Sequence, residues 1–166
     1  MEHRINYSKI GLKAIKGLQE LENYVESSGM EKSLIELIRL RVSQINGCDC
    51  CIGLHSEDAL QLGESHTRLD NLSSWREKEI YSDREKAALG WTEALTLIAQ
   101  NEISDVFYEE VRRHFDEQEL TILTIAINSI NSWNRLAISF RTPAKAKPIL
   151  IPLQWKTLKN AERLLS

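Results

Sequence analysis

From Asp116 to Phe140 the chain is apolar at almost every helical position: Leu120, Ile122, Leu123, Ile125, Ile127, Ile130, Trp133, Leu136 and Ile138. A helix that is apolar nearly all round has to be enclosed, so it belongs at the centre of a domain or between subunits. At ~1.5 Å per residue it would span about 36 Å, with Asp116 as its N-cap. Asn128, Asn131 and Asn134 recur every three residues along it. Buried amides need partners, so one edge is expected to make helix-packing hydrogen bonds to a polar strip.

The other segments read as the enclosure. Ile10, Leu12, Ile15, Leu18, Leu21 and Val25 give residues 5–28 helical spacing, with Gly29 as a left-handed cap. A second helix is expected over 31–45 and a third from Cys48 to about Leu62. A short helix follows over 66–74, then a looser connector over 75–81. Ser82-Asp83-Arg84-Glu85 has the form of a capping box. It should open a helix over 83–99 that turns Ala87, Ala88, Trp91, Ala94, Leu95 and Ile98 inward. Ser104 caps a short helix to His114. Three prolines and seven glycines leave little room for the turns of a sandwich or barrel. The expectation is an all-α single domain of about six to eight helices over 1–142. A C-terminal arm over 143–166, basic and proline-punctuated at first, should pack on the body or on a neighbouring subunit.

A net charge of −3 argues against a nucleic-acid partner, which favours a basic face. No run of 18 or more apolar residues predicts a membrane span, and no apolar stretch reads as a signal peptide. The three cysteines are clustered and odd in number, unlike a secreted disulfide framework. A cytoplasmic location is the expectation.

All three lie in Gly47-Cys48-Asp49-Cys50-Cys51-Ile52-Gly53-Leu54-His55. On a helix starting at Cys48, the steps to Cys51 and His55 fall on one face. Cys48 would sit among unpaired first-turn amides that favour a thiolate. Thiol pKa values in C-x-x-C motifs fall into the range of about 3.5–7.5. The two sulfurs can close a disulfide across one turn, and His55 can exchange a proton with Cys51. Cys50 points about 200° from Cys48 on this wheel, as a bystander or accessory thiol. A zinc site wants four ligands, and no second pair stands elsewhere, so neither metal nor organic cofactor is expected. Arg41 falls within the apolar arc of Leu34, Leu37, Ile38 and Ile45, as a snorkelling or ion-paired residue or one placed near the thiols. Glu36 lies off that arc and by wheel position would pass as a solvated charge. His3, His66 and His114 lack supporting spacing.

Glu36-Leu37-Ile38-Arg39-Leu40-Arg41-Val42-Ser43-Gln44-Ile45-Asn46-Gly47-Cys48-Asp49-Cys50-Cys51, followed by His55, resembles the carboxymuconolactone decarboxylase superfamily, in its alkylhydroperoxidase D-like branch. Arg84 to Trp91 and Trp133-Asn134-Arg135 resemble the later helices of that branch, so the likeness spans roughly 5–141. It implies an all-α homo-oligomer, trimeric or hexameric, acting on a small-molecule hydroperoxide with a dithiol reductant or reductase protein as partner. By the same resemblance Cys51 is the peroxide-attacking thiolate and Cys48 the resolving thiol. Glu36 and His55 form the relay that activates Cys51. Cys50 stands where the better-known members carry histidine, and Asp49 adds a charge that opposes thiolate formation. The alternatives are a thiol-disulfide oxidoreductase or redox sensor without peroxidase work, and a non-enzymatic oligomeric binding protein.

Overall fold

The structure, a computed structural model, describes residues 2–143. Among them are eight α-helices: α1 Tyr7–Ile10, α2 Leu12–Ser27, α3 Lys32–Asn46, α4 Asp49–Gln61, α5 His66–Asn71, α6 Asp83–Thr96, α7 Asp105–Arg112 and α8 Glu117–Phe140. A 3₁₀ helix, Leu72–Glu77, continues α5 into the first three residues of the segment expected to be a looser connector, and 78–81 are turn and irregular backbone as expected. No strand occurs among the described residues. Apart from Pro143, the expected C-terminal arm lies outside them.

The helix starts follow the local chemistry. Ser65, Ser82, Ser104 and Asp116 each accept a backbone amide from the third helical residue. Glu85 and Glu119 reach back to the cap amides of Ser82 and Asp116, completing two capping boxes. Gly29 has φ 87°, the left-handed conformation expected of it.

The centre of the domain is shared by α3 and α8. Helix α3 packs against α4, α6 and α8, and α2 lies along α8. One core cluster joins Leu34, Ile38 and Val42 of α3 to Leu123, Ala126 and Ile127 of α8. A second joins Leu37 and Leu40 to Ala59, Leu72, Trp75 and Leu89. Helix α3 is therefore gripped on both sides and exposes little of its length.

Several expectations from helical spacing need correction. The first helix is broken at Gly11, and Ile10, Leu12 and Leu21 are exposed; Ile15 and Val25 form its buried edge, together with Glu22. Helix α6 ends at Thr96, leaving Ile98 exposed. Helix α8 is not sealed all round, since Ile138 is 44% exposed. Of its three asparagines, Asn128 faces outward, because residues six apart drift off one face of a 3.6-residue helix. Asn131 and Asn134 are buried, and both accept from the Asn46 amide at 3.0 Å.

Candidate active site

Those asparagine bonds tie the end of α3 to α8 one residue before the turn that carries the cysteines. Asn134 also donates to the buried Ser43 hydroxyl at 3.2 Å. Gly47 then adopts the left-handed conformation (φ 67°, ψ 40°), and the Cys48 amide returns to the Ser43 carbonyl. This reversal ends α3 and starts α4 within three residues. Cys48 is the N-cap of α4, with non-helical backbone (φ −94°, ψ 87°), and its carbonyl accepts from Cys51 and Ile52. Cys48 and Cys51 form a disulfide, with Cα atoms 5.3 Å apart, inside the usual 4.4–6.8 Å range.

The N-cap backbone explains the correction at Cys50. A helical wheel assumes that Cys48 is already helical, and it is not. Cys50 Sγ therefore lies 3.6 Å from Cys48 Sγ and 3.8 Å from Cys51 Sγ, beside the couple instead of on another face. Its thiol is buried and free. Burial, with a further contribution from Asp49, pushes its pKa up.

The acid/base side of the site runs from α4 into α3 and α2. His55 is 3% exposed, and its Nδ1 lies 2.8 Å from Glu36 Oε2. Glu36 is buried, not solvated as its wheel position would have it, because α4 covers the side of α3 on which it stands. Burial alone would raise its pKa. The bonds and charges of His55 and Arg39 outweigh burial and hold it below the ordinary carboxylate range. An ionised Glu36 only accepts, so Nδ1 of His55 donates the hydrogen bond between them.

Arg39, absent from the sequence-based candidates, anchors this network. Its guanidinium donates to Glu36 at 2.6 Å, to Glu26 at 2.8 Å and to buried Glu22. Burial would weaken its hold on the proton, but the three carboxylates reverse that and raise its pKa. Glu22 accepts in turn from Ser129 and from the Trp133 indole on α8. Arg41, by contrast, pairs with Glu93 on α6, which also holds Trp75 and Arg76, so it serves as a structural ion pair. Asp58 completes a cluster with Glu36 and His55 whose ligand atoms lie within 4.8 Å. Arg39 already neutralises Glu36, so this cluster is a poor cation site.

A mostly apolar cavity of about 30 Å³ adjoins the couple, with room for about two water-sized groups. Cys50, Cys51, Leu54 and His55 line it from α4, and Ile130, Trp133 and Ala137 from α8. Cys51 belongs to that lining and Cys48 does not. Thr142, fixed by its amide on the Ala137 carbonyl, also lines it, and its buried hydroxyl has no hydrogen-bond partner. No helix among the described residues is long and apolar enough to cross a membrane.

Comparison with known proteins places these features in context. The model of the carboxymuconolactone decarboxylase family matches residues 12–94. The uncharacterized protein YdfG of Bacillus subtilis (strain 168) is 40% identical over 147 residues, 89% of this chain and 100% of that protein. A crystal structure of ATU0492 from Agrobacterium tumefaciens, described as of unknown function and as a candidate antioxidant defence protein AhpD, superposes with TM-score 0.82 and 43% identity. The match covers 86% of this chain and 97% of that one. A peroxidase-related protein from Silicibacter sp. TM1040 is similar in fold (TM-score 0.69), at 22% identity over 78% of this chain and 69% of its own.

Proposed function

The chain belongs to the carboxymuconolactone decarboxylase family, and from that membership we propose that it is a thiol-dependent peroxidase of the AhpD type. The observation that carries the reading is the asymmetry of the couple. Cys51 shares the cavity lining with His55, while Cys48, the N-cap of α4, is not part of that lining. His55 in turn is held by an ionised, buried Glu36.

In the reduced protein His55 takes the Cys51 proton, and the α4 amides stabilise the thiolate. The thiolate attacks the terminal oxygen of a hydroperoxide. The O–O bond breaks, and the alkoxide leaves with the proton returned by His55. Cys51 is then a sulfenic acid. Cys48 attacks its sulfur, water departs, and the Cys48–Cys51 disulfide forms. An external dithiol restores both thiols by exchange. Glu36 fixes the His55 tautomer, and Arg39 keeps Glu36 charged.

Exposed Ile10, Leu12 and Leu21 on the first two helices, with Ile138 near the end of α8, support assembly with further copies of this chain. A cytoplasmic setting suits a cycle that needs a thiol reductant.

The test is peroxide consumption with a dithiol reductant. Wild type should turn over, Cys51→Ser should be inert, and Cys48→Ser should react once without recycling. Reversible disulfide formation with no peroxide-dependent turnover would replace this reading with a thiol-disulfide oxidoreductase or redox sensor.

A further inference from the structure

Cys50 has no part in the cycle above, yet its sulfur touches both sulfurs of the couple. It lies to one side of the Cys48–Cys51 bond, nearly equidistant from its ends, whereas thiol-disulfide exchange wants the attacking sulfur in line with that bond. Cys50 is badly placed to exchange with the couple and well placed to complete a triangle with it. The three Sγ atoms lie within 4.8 Å of one another. No fourth His, Cys, Asp or Glu atom joins all three in that cluster among the described residues.

We propose that the reduced Cys48, Cys50 and Cys51 thiols form a three-coordinate site for a thiophilic trivalent centre, with arsenic(III) as its ligand class. When the disulfide opens, Cys48 and Cys51 separate to van der Waals contact and the triangle becomes nearly equilateral. Edges of 3.6 and 3.8 Å put the centroid about 2.1–2.2 Å from each sulfur (edge divided by √3). A bond of about 2.3 Å, the zinc–thiolate length taken as a yardstick, lifts the central atom out of the sulfur plane. That is the pyramidal geometry of an atom carrying a lone pair. Zinc would lack its fourth ligand.

Charge selects in the same direction. Three thiolates on copper(I) leave two negative charges among groups that are 2–8% exposed and next to Asp49. Three thiolates on arsenic(III) leave none, and burial penalises charge. The reaction is a ligand exchange without oxidation: arsenous acid and three thiols give three As–S bonds, and each thiol proton leaves with a hydroxide as water.

The inference requires a reducible couple but not peroxidase turnover. The test uses full-length protein reduced with a phosphine, then arsenite, read by native mass and by release to a competing dithiol. Wild type should gain one arsenic and lose three hydrogens. Cys50→Ser and Cys50→Ala should each gain an arsenic that keeps one hydroxide, an adduct heavier by one water relative to the protein. They should release it about 10²-fold more readily, the usual gain from an added tethered contact. A hydroxide-bearing adduct on wild type, or equal release from all three proteins, overturns the proposal. Peroxide-dependent disulfide formation, measured without arsenite, is scored separately, so either reading can fail alone.

Discussion

Replacing Arg39 with methionine keeps the length of the side chain and removes its charge. In the native protein the guanidinium faces Glu22 and Glu36, whose side chains are 10% and 8% exposed, and Glu26, which is 41% exposed. The Glu26 contact is solvent-screened and contributes at most about 1 kcal/mol. The other two carboxylates lose a buried partner, and breaking a buried pair costs about 3–5 kcal/mol. Ser129, Trp133 and His55 still bond them, which puts Arg39→Met at the lower end, about 3 kcal/mol. At roughly 2–4 °C per kcal/mol for a chain of this size, the melting temperature should fall by about 6–12 °C. The pH dependence identifies the cause. Glu36 has a depressed native pKa, so its stabilisation is present above its ordinary value of 4.5 and is lost as pH falls through the native value. Without Arg39 the depression shrinks, so the gap between wild type and variant should narrow below about pH 4.5. Denaturant unfolding at neutral and acid pH measures both quantities. A loss under about 1 kcal/mol, or a gap that widens on acidification, would refute the assignment of Arg39 as the charge that holds this network.

Three other outcomes follow from named contacts. Glu36→Gln keeps a hydrogen-bonding group against His55 but removes the charge that fixes its tautomer, so peroxide turnover should drop on the order of 10²-fold, with disulfide formation by a mild oxidant preserved. Gly47→Ala meets no atom within 4 Å but must hold φ 67°, so it should lose about 1 kcal/mol in denaturant unfolding from backbone strain alone. Asp116→Ala removes the cap of α8 and half of its capping box and should cost about 1 kcal/mol, recoverable with Asp116→Ser.

Much of this protein could be read locally. The apolar run after Asp116, the cap residues before α6, α7 and α8 and Gly29 behind α2 define elements through contacts within a few residues, which is why they were legible in order. The C-x-x-C spacing allowed the Cys48–Cys51 disulfide that the structure holds, and the resemblance supplied Glu36. Positions whose meaning depends on a second element were not legible. Arg41 and Arg39 are two residues apart on the same helix. Only the packing of α6 over one and the reach of Glu22 and Glu26 from α2 to the other make the first a structural ion pair and the second the hub of a buried network. Cys50 joined the sulfur cluster because the backbone leaves the helix at Cys48, and a wheel cannot represent that departure. The sequence by itself settled most of the segments that coil and allowed the pairing of Cys48 with Cys51, because those properties reside in neighbours along the chain. Tertiary structure alone decided which charges are buried together and which sulfur faces the cavity, because burial and electrostatic coupling arise only when distant helices exclude water between them.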